Sequence, residues 1–214
     1  MNRRFVVMSA ALAVVGVIAP GYGATTALAK AKTSCLLMKD LPGDAKLAGQ
    51  GSNYAADDIL SGDLASGKKT LVGVLRLASS DGKTGFPSGS TYRLRWTQTL
   101  NGTTTYGAFF YYVYATGGAS GAYGTSPNPE FEPSSASTPL TVTRDKTGAI
   151  TWVITRKNAS LLAGTTFSHV TATSNIAFNY QAAGGSGTSS TSAIDSAAGT
   201  GKYVDRQPSC VHAS

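Results

Sequence analysis

Five aspartates, Asp40, Asp44, Asp57, Asp58 and Asp63, crowd a turn-rich stretch near the start of the chain. Ca²⁺ takes about six to eight oxygen ligands, and loop carboxylates with backbone carbonyls supply that kind of donor. Asp40, Asp44 and Asp58 are therefore candidate calcium ligands. Asp-rich turns also satisfy their own backbone amides, and that reading stays open beside the first. Little else in the chain is equipped for chemistry. A serine hydrolase needs a nucleophile on a tight turn beside a histidine base, yet there is no G-x-S-x-G, and of two histidines His169 alone lies within a predicted strand. Zinc would need grouped His and Cys. Glycoside hydrolysis needs two carboxylates across a cleft, whereas Glu130 and Glu132 share a Pro-rich loop where solvation accounts for them. The chain reads as noncatalytic, with no cofactor beyond a structural calcium.

The elements that would position these residues begin after a leader. Arg3 and Arg4 precede an apolar run from Phe5 to Ala19, then Pro20 and a small-residue stretch through Ala27, Ala29 and Ala31. This is the pattern of a secretory signal peptide over residues 1–29, with cleavage after Ala29 or Ala31. The apolar run rises about 22 Å as a helix, short of a hydrocarbon core of roughly 30 Å, so a membrane anchor is not expected after cleavage. Lys32 stands where a lipoprotein would place an apolar residue before Cys35. The remainder, 30–214, reads as one secreted domain. Cleavage takes away Arg3 and Arg4 but no acid, which lowers the formal charge from +7 to +5. The remaining cations are scattered, which argues against nucleic acid as a partner. Charged residues are 14% of the chain, well below the roughly 25% of an average domain, and Ser, Thr, Gly and Ala cover the surface instead.

Cys35 and Cys210 bracket the mature domain in a compartment that permits disulfides, and we expect one bridge between them. Free thiols or intermolecular pairing are the alternative. A loop this long is worth about 5 kcal/mol in the chain-entropy model, although measured bridges deliver roughly 2–4.

Alternation of period two dominates the mature chain, and no helical periodicity extends over a dozen residues. Strands are expected at Ser34 to Lys39, Asp58 to Ala65, Thr70 to Ala78, Thr91 to Leu100, Thr104 to Ala115, Pro139 to Arg144, Ala149 to Arg156, Thr166 to Phe178 and near Lys202 to Asp205. Asn101-Gly102 is a favoured two-residue hairpin turn, because both residues tolerate positive φ. It sets Trp96 opposite Gly107, Leu94 opposite Phe109 and Tyr92 opposite Tyr111. Lys146-Thr147-Gly148 fits a three-residue loop that sets Val142 opposite Trp152. Each hairpin then has one apolar face, so two sheets must pack face to face. The expected fold is an all-β, antiparallel two-sheet β-sandwich, jelly-roll-like in kind. Thr116 to Thr138 and Ala182 to Gly201 hold too little apolar content to pack, and are expected as surface loops.

The first hairpin's register brings Arg93, Arg95, Tyr106, Phe110, Tyr112 and Tyr114 onto the side away from the core. Solvated faces seldom carry so many aromatic rings. Rings stack on sugars and arginines donate hydrogen bonds, so these six residues are candidate contacts for an extracellular glycan or cell-wall polymer. A loop such as Thr116 to Thr138 folding back over the rings is the other account.

With those residues placed, DLPGDA at Asp40 to Ala45, DILSGDLA at Asp58 to Ala65 and LVGVLRL at Leu71 to Leu77 resemble secreted actinobacterial β-sandwich domains. Those are similar in pattern to DOMON-like and family-nine carbohydrate-binding modules. The resemblance implies a noncatalytic sandwich with a structural Ca²⁺ near Asp40, Asp44 and Asp58. The function expected is a secreted binding module for a cell-envelope or environmental polymer. A structural or protein-interaction role in the exoproteome is the alternative, and a hydrolase of unrecognised type stands third.

Overall fold

Turn residues cut the chain into β1 (Leu36–Lys39), β2 (Ile59–Ser66), β3 (Thr70–Leu77), β4 (Ser90–Leu100), β5 (Thr103–Val113), β6 (Ala119–Ser126), β7 (Thr141–Arg144), β8 (Ala149–Thr155), β9 (Thr166–Tyr180), β10 (Thr188–Ala198) and β11 (Tyr203–Val204). The computed structural model describes residues 36–46, 54–78, 88–114, 118–133, 138–180 and 188–206, with the backbone alone at 177–180 and 188–193. The expected leader over 1–29, its cleavage positions, Cys35 and Cys210 lie outside the described residues.

Local turn chemistry sets the registers. Asn101 and Gly102 take φ of 49° and 80°, the paired left-handed conformations that match strand twist. Leu100 therefore faces Thr103, and the pairing runs on through Trp96 with Gly107 and Tyr92 with Tyr111. Gly148 takes φ of 82°, and Asp145 Oδ1 accepts hydrogen bonds from Thr147 N (2.8 Å), Thr147 Oγ1 (2.7 Å) and Ala149 N (3.0 Å). That closed turn fixes Val142 opposite Trp152.

The strands form two open antiparallel sheets, an all-β sandwich. Sheet 1 has the order β1-β2-β3-β8-β7, and sheet 2 the order β10-β9-β4-β5-β6, with β11 pairing the start of β9. The chain changes sheet between β3 and β4, β6 and β7, and β8 and β9. Between the sheets lie Tyr92, Leu94, Trp96, Phe109, Leu71, Leu75, Ile150, Trp152 and Ile154, all buried. Phe109 of sheet 2 stacks on Trp152 of sheet 1 at 5.6 Å between centroids, and Trp152 Nε1 donates to Phe110 O across the gap (2.9 Å). Strand glycines leave room for these rings: a Cβ on Gly73 would stand 2.6 Å from Phe109, and one on Gly107 would enter the Trp96 ring.

Two expectations need correction. Thr116 to Thr138 is not wholly a loop, because β6 pairs with β5 from Tyr106↔Ser126 to Val113↔Ala119. Ala182 to Gly201 likewise contains β10, which pairs with β9 from Thr188↔Tyr180 to Ala198↔Thr171. Both are built largely of Ser, Thr, Gly and Ala, so their strand state comes from a neighbour's hydrogen bonds rather than from burying large side chains. Small residues also suit β6, since a Cβ on Gly121 would clash with Val142 of the opposite sheet. Among the described residues, no helix is long and apolar enough to cross a membrane.

Candidate functional site

The aspartates converge where β1, β2 and β10 meet. Asp40 follows β1, and its Oδ1 accepts from Leu41 N at 2.9 Å. Gly43, at φ 95°, bends the turn so that its N–H donates to Asp58 Oδ2 at 2.7 Å. Opposite stands Asp195, at a bulge in β10. Asp195 Oδ2 accepts from Ile59 N (2.7 Å) and Oδ1 from Ser196 N (2.6 Å), which ties β10 of sheet 2 to β2 of sheet 1.

One carboxylate oxygen from each of Asp40, Asp44 and Asp195 lies within 4.8 Å of the other two. The sequence placed Asp40 and Asp44 together, and the fold does the same. The third member is Asp195, whereas Asp58 stands outside the triad and holds the turn through Gly43. Asp40, Asp44 and Asp195 form no ion pair among the described residues. Burial pushes the Asp195 carboxyl up to about 6, outweighing its two backbone hydrogen bonds, with the charges of Asp40 and Asp44 adding to the rise. Asp40 is raised mainly by burial, with Asp44 and Asp58 contributing repulsion, and its Oδ2 is buried without a hydrogen-bond partner among the described residues. Asp57, fully buried nearby, is pushed up to about 6 by burial, with Asp195 adding to it. A hard divalent cation fits this donor set: three converging carboxylates, one of them with an orphaned buried oxygen.

The six residues of the outward face are also brought together, on sheet 2. Arg93 lies over the Phe110 ring at 5.0 Å, and Tyr112 meets Tyr114 edge-on at 4.9 Å. Tyr114 is 41% exposed and donates to Ser120 Oγ at 2.8 Å. Tyr106, Phe110 and Tyr112 are half-buried. The segment after β6 crosses part of this face. Glu132 is exposed, as expected of a solvated carboxylate, and it also bridges Arg93 Nε (3.0 Å) and Arg95 Nη2 (2.8 Å), while Arg95 Nη2 donates to Phe131 O (3.3 Å) as well. A Cβ on Gly124 would stand 3.0 Å from both Phe131 and Pro133, so the crossing is close. The face is thus partly strapped, with Tyr114 left exposed at its rim.

His169 sits at a bulge in β9, exposed, at φ 49°, with Ser168 Oγ 3.1 Å from its Nδ1. Sequence reasoning did not identify Asp195 or Glu132 as site residues, because neither adjoins its partners in the chain. Against known proteins, no family model, curated protein or solved structure matches this chain.

Proposed function

We propose that the chain is a secreted, noncatalytic binding module that presents the outer face of sheet 2 to an extracellular glycan or cell-wall polymer. The observation that carries this reading is the Arg93 guanidinium over Phe110, flanked by the exposed Tyr114 against Tyr112. Planar rings and a fixed guanidinium match the apolar faces and hydroxyl rims of sugars. Glu132 holds both arginines in place before any ligand arrives, which lowers the ordering cost of binding. The aspartate cluster, loaded with calcium, acts in this reading as a structural tie between the sheets, as the DOMON-like resemblance implies.

The test is retention on purified cell walls and insoluble polysaccharides. Wild type should be retained, and Tyr112→Ala with Tyr114→Ala should lower retention while leaving the fold intact. Unchanged retention removes the face from the function. A structural or protein-interaction role is the second reading, favoured by the strap over Arg93 and Arg95 and by the threonines Thr141, Thr143 and Thr155 exposed on sheet 1. That role predicts no polymer retention at all.

A further inference from the structure

At the end of the sandwich formed by the Asn101-Gly102 turn, the space between the sheets opens to solvent. Gln98 and Leu100 share the inward phase of Trp96, and Thr103 and Thr105 face them from β5. The turn after β8 closes the other side with Ser160, Leu161, Leu162 and Thr165, leaving a cavity of about 340 Å³. That volume is at the small end of ligand sites, which run from roughly 300 to 1,000 Å³.

The lining carries no charge. Residues 97–107 and 158–168 contain no Asp, Glu, Lys, Arg or His. A charged ligand entering here would lose hydration and gain no counter-ion. The polar groups that remain have assigned directions. Trp96 Nε1 donates to Gln98 Oε1 at 3.2 Å, so the Gln98 amide must turn its NH₂ to Thr105 Oγ1, to which it donates at 3.0 Å. Thr105 therefore accepts from Gln98 and keeps its own proton to give. Thr165 has spent its proton on Leu162 O at 2.8 Å and keeps lone pairs to accept. Leu161, buried, and Leu162, 62% exposed, add an apolar wall.

We propose that this cavity is a second binding site, for a small uncharged carbohydrate or the uncharged end of a glycan chain. A sugar ring offers hydroxyls that both donate and accept, beside an apolar C–H face, and the cavity offers their complements. A peptide adding as a strand would need a backbone edge, whereas side chains of a sheet face line this cavity. The site is separate from the outer face of sheet 2 and does not depend on it.

The test is an amide-resolved NMR titration of the secreted protein with cellobiose, maltose and N,N′-diacetylchitobiose. Galacturonate and a capped neutral dipeptide are the contrasting probes. At least one neutral sugar should shift amides within 97–105 and 160–165 and perturb the fluorescence of Trp96, with galacturonate silent. Leu162→Asp places a charge at an exposed position of the rim, and Thr105→Val removes the free donor. Each should weaken the sugar response of these amides by about tenfold or more, roughly 1.4 kcal/mol. No response to any neutral sugar, an equal response to galacturonate, or a response to the dipeptide alone overturns the assignment. Retention on polymer through Tyr112 and Tyr114 is read separately, so either site can fail without the other.

Discussion

Arg156 reaches Asp205 through two hydrogen bonds of 2.6 and 2.8 Å, with both side chains buried. Its other two Nη donors go to Gly67 O (3.3 Å) and Leu161 O (3.2 Å), and Ser66 Oγ adds a 2.5 Å bond to Asp205 Oδ1. This network pins β11 to the ends of β2 and β8. Burial alone would raise the Asp205 carboxyl, but the hydrogen bonds from Arg156 and Ser66 and the two nearby guanidinium charges outweigh it and lower it. A lowered carboxylate contributes its full stability above its unfolded value, and loses it as pH falls through the folded value. Removing one partner strands the other charge in the interior, so Arg156→Met should cost about 3–5 kcal/mol in urea unfolding at neutral pH. Replacing both, Arg156→Met with Asp205→Leu, should recover much of that loss. A single variant as stable as wild type would mean that water reaches the pair.

The first hairpin depends on its turn, and the turn on two left-handed residues. A β-branched residue in that conformation is strained by roughly 1–2 kcal/mol, so Gly102→Val should lower stability by about that amount in thermal melts. The Trp96–Gly107 pairing should survive, since alternating rings still define the core face. Full stability in this variant would mean that another turn type holds the register. Such elements are readable because each carries its evidence locally, in a turn dipeptide and a two-residue rhythm of large apolar side chains. β6 and β10 are not, because ASGAYGTS and TSSTSAIDSAA carry no such rhythm. They become strands when β5 and β9 offer them a hydrogen-bonding edge. The site divides along the same line. Asp40 and Asp44 belong to one turn and can be read from it, as the outward arginines and rings can be read from the hairpin phase. Asp195 is hidden because it lies on β10, and Glu132 because its partners are 37 and 39 residues away.

Across the whole molecule, the early and late parts of the chain are joined at several points. Gly201 N donates to Leu37 O at 3.3 Å, which brings the segment after β10 against β1. Cys35 precedes that strand and Cys210 follows that segment, so intact mass after alkylation without reductant should show no label. Reduction should lower the melting temperature by several degrees, as loss of about 2–4 kcal/mol requires. Another join is the aspartate cluster, and its dependence on pH separates an ion site from a set of buried acids. With no cation present, an acid whose folded pKa is raised stabilises the protein below its unfolded value, and this contribution is lost as pH rises through the folded value. For Asp57 and Asp195 the loss should run from about pH 4 to about pH 6. Calcium reverses the trend, because it needs the ionised carboxylates that repel one another without it. A cation at a hundredfold over its dissociation constant adds about 2.7 kcal/mol. Melting in Ca²⁺ should therefore exceed melting in EDTA by several degrees above pH 6, and the two curves should merge as Asp195 protonates toward pH 4. Asp195→Asn should shrink the calcium response, while the amide oxygen it introduces can still accept from Ile59 N. Identical melting in Ca²⁺ and EDTA at every pH would leave Asp195 as a hydrogen-bonding tie between β10 and β2, with no ion between the sheets.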